Sequence, residues 1–184
     1  MRVKEIIAFV KQQIEPLPAH GPYGERYRVT ATLTDGTHLP CVVVESAARM
    51  VDLAIRRFDE TRIDKSLHRS VDYRAIVKSF VTRGNTINDY DLQSLAISPF
   101  AIPLVRWREI GGETSMGWTE FYATMTDGTE FRFGTGYCDE FFQMPTGYVA
   151  TDIHKIVPAI RHEKPRQDKV YREKPFFTCY IDGI

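Results

Sequence analysis

Ala123-Thr-Met-Thr-Asp-Gly-Thr-Glu-Phe131 decides the reading of this chain, because it occurs once before as Ala31-Thr-Leu-Thr-Asp-Gly-Thr-His-Leu39, 92 residues earlier in a chain of 184. Asp-Gly between two β-rich runs signals a hairpin, since glycine supplies positive φ without a steric penalty. Loop length follows from the side chains. A two-residue loop pairs Val29 with Val42, but in the second copy it sets Met125 against Glu130 and Ala123 against Arg132. A three-residue loop, with a type I turn and glycine in the left-handed position, shifts the register by one residue. It pairs Ala31 with Leu39, Val29 with Cys41 and Tyr27 with Val43, then Ala123 with Phe131 and Phe121 with Phe133. This register serves both copies. It predicts inward faces of Tyr27, Val29, Ala31, Leu39, Cys41 and Val43, and of Phe121, Ala123, Phe131 and Phe133.

The fold expected is therefore α+β. Two pseudo-repeated antiparallel hairpin or meander units, with turns at Asp35-Gly36 and Asp127-Gly128, are each followed by helical segments and packed as one domain over residues 1–184. The repeats run over about 1–95 and 96–184. One carboxylate per turn is too few for a calcium cage, so the turns are read as architecture.

Around the hairpins, residues 3–14 fit a helical stripe, but comparison with the second copy, where 102–110 reads as a strand, favours a strand. Residues 15–24 hold three prolines and two glycines and read as a loop. Ser46 is a helix N-cap, with Ala47, Met50, Val51, Ala54 and Phe58 on one face and Arg49, Asp52, Arg56 and Asp59 on the other. Tyr73, Ile76, Val77, Phe80 and Val81 form a second helical stripe, for which a strand competes. Residues 84–101 look irregular. Leu104–Ile110 and Trp118–Met125 join the second hairpin as a three-stranded meander. Thr151–Ile160 suggests a short helix, 161–175 a charged arm and Phe176–Ile181 a final strand.

Composition narrows function. Formal net charge is zero, which argues against a nucleic-acid binder. There is no long apolar run for a membrane span and no signal-peptide pattern at Met1-Arg-Val-Lys-Glu. The three cysteines, Cys41, Cys138 and Cys179, form no CxxC pair, which leaves the cytoplasm as the default compartment. Charge is uneven, however. Residues 106–150 carry three basic against seven acidic side chains, and 161–174 carry six basic against three acidic.

Two functional readings follow. The first is a non-enzymatic intracellular protein that binds another protein, as an inhibitor, immunity or accessory factor. Its patch would be Trp107, Arg108, Trp118, Tyr137, Phe141 and Tyr148, since aromatics and arginine concentrate binding energy. A homodimer through an exposed sheet edge is compatible with this. The second is a small-ligand site or enzyme at 134–148, with Cys138, Asp139, Glu140 and His154 as its polar groups. Gly134-Thr-Gly136 after a strand can form an anion loop or a tight strand exit, but it lacks the dinucleotide fingerprint and the Walker lysine. Cys138 as nucleophile, with His154 or His162 as base, is disfavoured by the two carboxylates beside it, which raise a thiol pKa. No histidine spacing marks a metal site, and no cofactor is expected.

Overall fold

The structure is a computed structural model that describes residues 1–19, 24–48, 84–136, 138–161 and 169–184, together with positions 52, 55, 56 and 59. It is a mixed α/β fold built mostly of strands, with few helices. The strands are β1 (Arg26–Leu33), β2 (His38–Ser46), β3 (Thr86–Ile87), β4 (Leu92–Ile97), β5 (Thr119–Met125), β6 (Glu130–Thr135), β7 (Ile153–Pro158), β8 (Val170–Arg172) and β9 (Phe177–Ile181). One sheet has the order β3-β9-β2-β1-β4 and the other β7-β5-β6-β8. In each, a hairpin carries an antiparallel strand on its first arm and a parallel strand on its second.

Both hairpin turns have the expected form. Gly36 and Gly128 share a φ of 86°, and their N–H groups donate to Leu33 O and Met125 O at 2.9 Å. The Asp35 and Asp127 side chains accept from the N–H groups of Thr37 and Thr129 at 2.8 and 2.9 Å. The second hairpin keeps the predicted register along its whole length, with Phe121 opposite Phe133 and Ala123 opposite Phe131. Phe121 and Phe133 stack at 5.3 Å between centroids, with Phe142 edge-on to Phe121.

The first hairpin corrects the prediction. Ala31 pairs with Leu39, but the register slips beyond it, so Val29 faces Val42 and Tyr27 faces Val44. The extra residue sits in β2 at Pro40-Cys41. Proline has no N–H for the ladder, and strands accommodate it at bulges. Val42 and Val44 therefore join Tyr27, Val29 and Ala31 in the first core, whereas Cys41 and Val43 turn to the opposite face and pack with Phe141. Both faces of β2 are buried.

Further expectations change. Residues 3–13 form a helix, α1 (Val3–Gln13), which buries Ile6 and Val10 against the first sheet. The Glu5 carboxylate accepts from Arg2 N–H at 2.8 Å at its start. Leu104–Trp107 is a short helix, α2, and not a strand. The strand beside β5 is instead β7, formed by residues read as a helix, because Ile153 and Ile156 pair onto Met125 and Ala123. Residues 92–97, read as irregular, form β4, and Val170–Arg172 within the charged arm forms β8. Between β6 and a 3-10 turn at Ala150–Asp152, the described residues form no α-helix.

After β2 only scattered positions are described. Ala47 and Ala48 are helical, as are Asp52, Ile55, Arg56 and Asp59, all four exposed. Met50, Val51, Ala54, Phe58 and the stripe at 73–81 lie outside the described residues.

Gly134 shows how tightly the second sheet is covered. The Trp118 ring lies over it, so that an added Cβ would stand 2.2 Å from Cζ2. Gly134→Ala should destabilise the protein by about 1–3 kcal/mol in urea unfolding through overpacking. Gly112→Ala, with open space at its Cβ, should be within about 0.5 kcal/mol of wild type. Equal midpoints for the two variants would contradict this placement of Trp118.

Candidate functional site

A short irregular segment after β6 is pinned residue by residue. The Thr135 hydroxyl donates to Cys138 O at 2.5 Å and accepts from Cys138 N–H at 3.1 Å. Trp107 Nε1 donates to Asp139 O at 3.0 Å. Arg28 Nη1 donates to Glu140 O at 3.2 Å. Beyond it, Phe141 and Phe142 enter different clusters, since successive side chains of extended backbone point to opposite sides.

This segment forms one wall of a cleft of about 390 Å³, within the roughly 300–1,000 Å³ range of small-molecule sites. Arg26 contributes from β1, Trp107 from α2, Thr119 from β5 and Thr135 from β6, with Asp139 and Glu140 completing the polar wall. The cleft thus takes residues from both sheets.

Its electrostatics are unevenly balanced. Arg26 Nη1 and Glu140 Oε1 form an ion pair at 2.6 Å. Glu140 is only 7% exposed, and its Oε2 has no hydrogen-bond partner; neither does Arg26 Nε. Among the described residues, the Asp139 carboxylate hydrogen-bonds to no other side chain; it accepts from its own backbone N–H and feels the charges of Arg26 and Arg28. Burial, reinforced by the Glu140 charge, raises the Asp139 pKa above the ordinary aspartate value. Arg28 is 4% exposed, and its Nη2 donates to Ile102 O at 2.7 Å. Burial pushes its pKa down to about 10.

The sequence-derived residues divide clearly. Asp139, Glu140 and Trp107 come together in the cleft. Cys138 adjoins it without lining it, and burial first, then Glu140, Glu173 and Asp139, push its thiol up to about 11. His154 is exposed on β7, away from the cleft.

Trp118 covers Gly134 and donates from Nε1 to Glu120 Oε2 at 3.1 Å, where Glu120 also pairs with Arg132 at 2.7 Å. Gly134 is therefore occupied by a ring. The Tyr148 hydroxyl donates to Asp127 Oδ2 at 2.6 Å and seals the second turn. Phe141 is fully buried, Arg108 is exposed, and Tyr137 lies outside the described residues. Arg26 and Arg28 were not singled out from sequence. Their signal was the alternation Arg26-Tyr-Arg-Val29, which places two cations on the strand face opposite the core residues Tyr27 and Val29.

Among the described residues, no three His, Cys, Asp or Glu side chains gather where they could hold a metal ion. No described helix is long and apolar enough to cross a membrane. The chain matches no protein-family model, no curated protein and no solved structure.

The raised pKa of Asp139 carries a sign. The unfolded chain releases this proton at lower pH than the folded one does, so the group's contribution to stability falls as pH rises from the ordinary aspartate range through the folded value. Asp139→Asn removes that loss. The variant should melt at a higher temperature than wild type at pH 7, with the difference shrinking as pH falls through the ordinary aspartate range. Calorimetric melting at a series of pH values checks this, and a lower melting temperature for Asp139→Asn at pH 7 would refute it.

Proposed function

We propose that the protein is a small-ligand-binding protein whose site is the cleft between α2, the start of β1 and the segment after β6. The observation that carries this reading is the meeting of Arg26, Trp107, Asp139 and Glu140 on one concave surface, with a buried carboxylate oxygen left without a partner. Buried polar atoms are almost always satisfied, and an exception calls for an explanation, of which a ligand or water that completes it is one. Binding is favoured over catalysis because the Cys138 thiol, pushed up to about 11, is protonated at neutral pH and His154 lies away from the cleft.

A thermal-shift panel of metabolite-sized amines, alcohols, carboxylates and sugars tests this reading. A cleft ligand at about 100 times its Kd should stabilise the wild type by about 2.7 kcal/mol. Thr119→Phe, which fills the cleft from β5, should abolish the shift. A panel without a hit, or hits that survive Thr119→Phe, would overturn the proposal.

A second reading, binding of another protein, draws on a different observation. β4 is the outer strand of its sheet, carries no charged residue in Leu92–Ile97, and leaves Ile97 60% exposed. The corresponding outer strand of the other sheet, β7, carries Lys155 and ends at Pro158, which blunt an edge. An uncharged edge suits addition of a partner's strand. Ile97→Lys should cost such a partner at least about tenfold in affinity, since it sets a charge on the pairing edge. Thr119→Phe should leave that affinity unchanged. Partners retained equally by wild type and Ile97→Lys in affinity capture would sink this reading.

We also infer that the two hairpins descend from one duplicated unit, supported by the matching turns and the shared strand order. The three free cysteines support a cytoplasmic setting.

A further inference from the structure

The cleft wall is acidic. Glu113, Asp139 and Glu140 line it against a single lining arginine, Arg26, which is already engaged by Glu140; the buried Arg28 beside them offsets part of this surplus, but its Nη donors are taken by carbonyls. An anionic ligand would face this surplus with its one candidate partner occupied. A metal ion would need more ligands than gather here, since no cluster of three suitable side chains exists among the described residues. The remaining class is a cation that needs few acceptors.

We infer that the cleft takes a small primary amine, its ammonium group held by the Asp139 carboxylate. This rests on the cleft being a ligand site, as proposed above. Asp139 lines the cavity and, among the described residues, hydrogen-bonds to no other side chain, so beyond its own backbone N–H its carboxylate keeps acceptor capacity for a charge-assisted hydrogen bond. An ammonium beside it replaces the hydration that partial burial removes. Glu140 stands next in the chain with one oxygen held by Arg26 and the other without a partner, adding negative potential where the head group sits. Trp107 and Ile110 give the ligand's carbon skeleton an apolar surface, and Pro18 flanks them. The Trp107 indole is fixed by its bond to Asp139 O, which holds the ring beside the same residue that receives the cation.

Titration calorimetry with three probes of one shape tests the assignment: phenethylamine, 2-phenylethanol and phenylacetate. Phenethylamine should bind wild type at least about tenfold more tightly than the alcohol, the worth of one charge-assisted hydrogen bond, with phenylacetate weakest. Asp139→Asn should remove that preference while still binding 2-phenylethanol as wild type does, which shows that the cleft remains folded. Thr119→Phe should abolish binding of all three.

Several results would overturn the inference. If the alcohol or the carboxylate matches the amine in wild type, and Thr119→Phe still blocks them, the cleft is a ligand site but not an amine site. Amine binding that is unchanged in Asp139→Asn also refutes it. If none of the three probes binds, the amine assignment falls, and the broader panel decides the cleft separately.

Discussion

The buried guanidinium of Arg28 is the constraint on which the arrangement of the two sheets depends. It belongs to β1 in the first sheet, yet both its hydrogen bonds go to carbonyls of the second half of the chain, Ile102 and Glu140. Burying a cation is costly unless its donors are met, and the depressed Arg28 pKa registers that cost. The two carbonyls must therefore stay where they are. Ile102 O fixes the entry to α2 and so the position of Trp107. Glu140 O fixes the segment after β6. Arg26, two residues earlier on the same face of β1, adds the ion pair to the Glu140 side chain. Two arginines on one strand thus determine both walls of the cleft.

The proline bulge in β2 complements this strap. Without it, Cys41 and Val43 would join the α1 side of the first sheet. The slip at Pro40 turns them toward Phe141, Phe100 and Phe176, and an apolar cluster forms beside the arginines. Pro40 O in turn accepts from the hydroxyls of Ser98, at 2.7 Å, and Thr30, at 3.1 Å, so the carbonyl exposed by the bulge is not left unsatisfied. The apolar contact supplies attraction between the layers, while the arginine donors supply register.

What the sequence revealed follows from the range of the physics involved. The Asp-Gly turns and the whole register of the second hairpin were legible, because turn chemistry and period-2 alternation are local. The first hairpin was legible only as far as Leu39, since a bulge is chosen by what both faces of β2 must meet. The error at residues 3–13 came from the error at 102–110. The apolar spacing of Ile6, Val10 and Ile14 was helical, but the comparison with a supposed strand at 102–110 outweighed it, and that segment is itself a helical turn. β4 carries a single buried residue, Leu92, so its one-sided exposure leaves no alternating signal. At the site, Asp139, Glu140 and Trp107 stood out by composition. Arg26 did not, because its partner lies 114 residues away.

The cleft is also where the fold departs from its own rules. The Arg132 and Glu120 pair is matched by contrast: the two meet through two contacts at 2.7 Å, and Trp118 adds a third donor to the same carboxylate, although Arg28 Nε and Glu173 Oε2 are also buried without a partner. At Asp139 and Glu140 the matching stops partway. Among the described residues, the Asp139 carboxylate hydrogen-bonds to no other side chain and that of Glu140 uses only one oxygen. A sequence under pressure for stability alone would place an amide or a smaller residue at 139, since that removes a desolvated charge without disturbing Asp139 O, the atom that Trp107 holds. Burial raises the Asp139 pKa, so its charged form opposes folding even with its own backbone N–H bonded to it. That asymmetry separates this pair from the structural ion pairs of the same molecule. It is the physical reason for proposing a ligand site at the segment after β6 and not at the paired turns on which the fold is built.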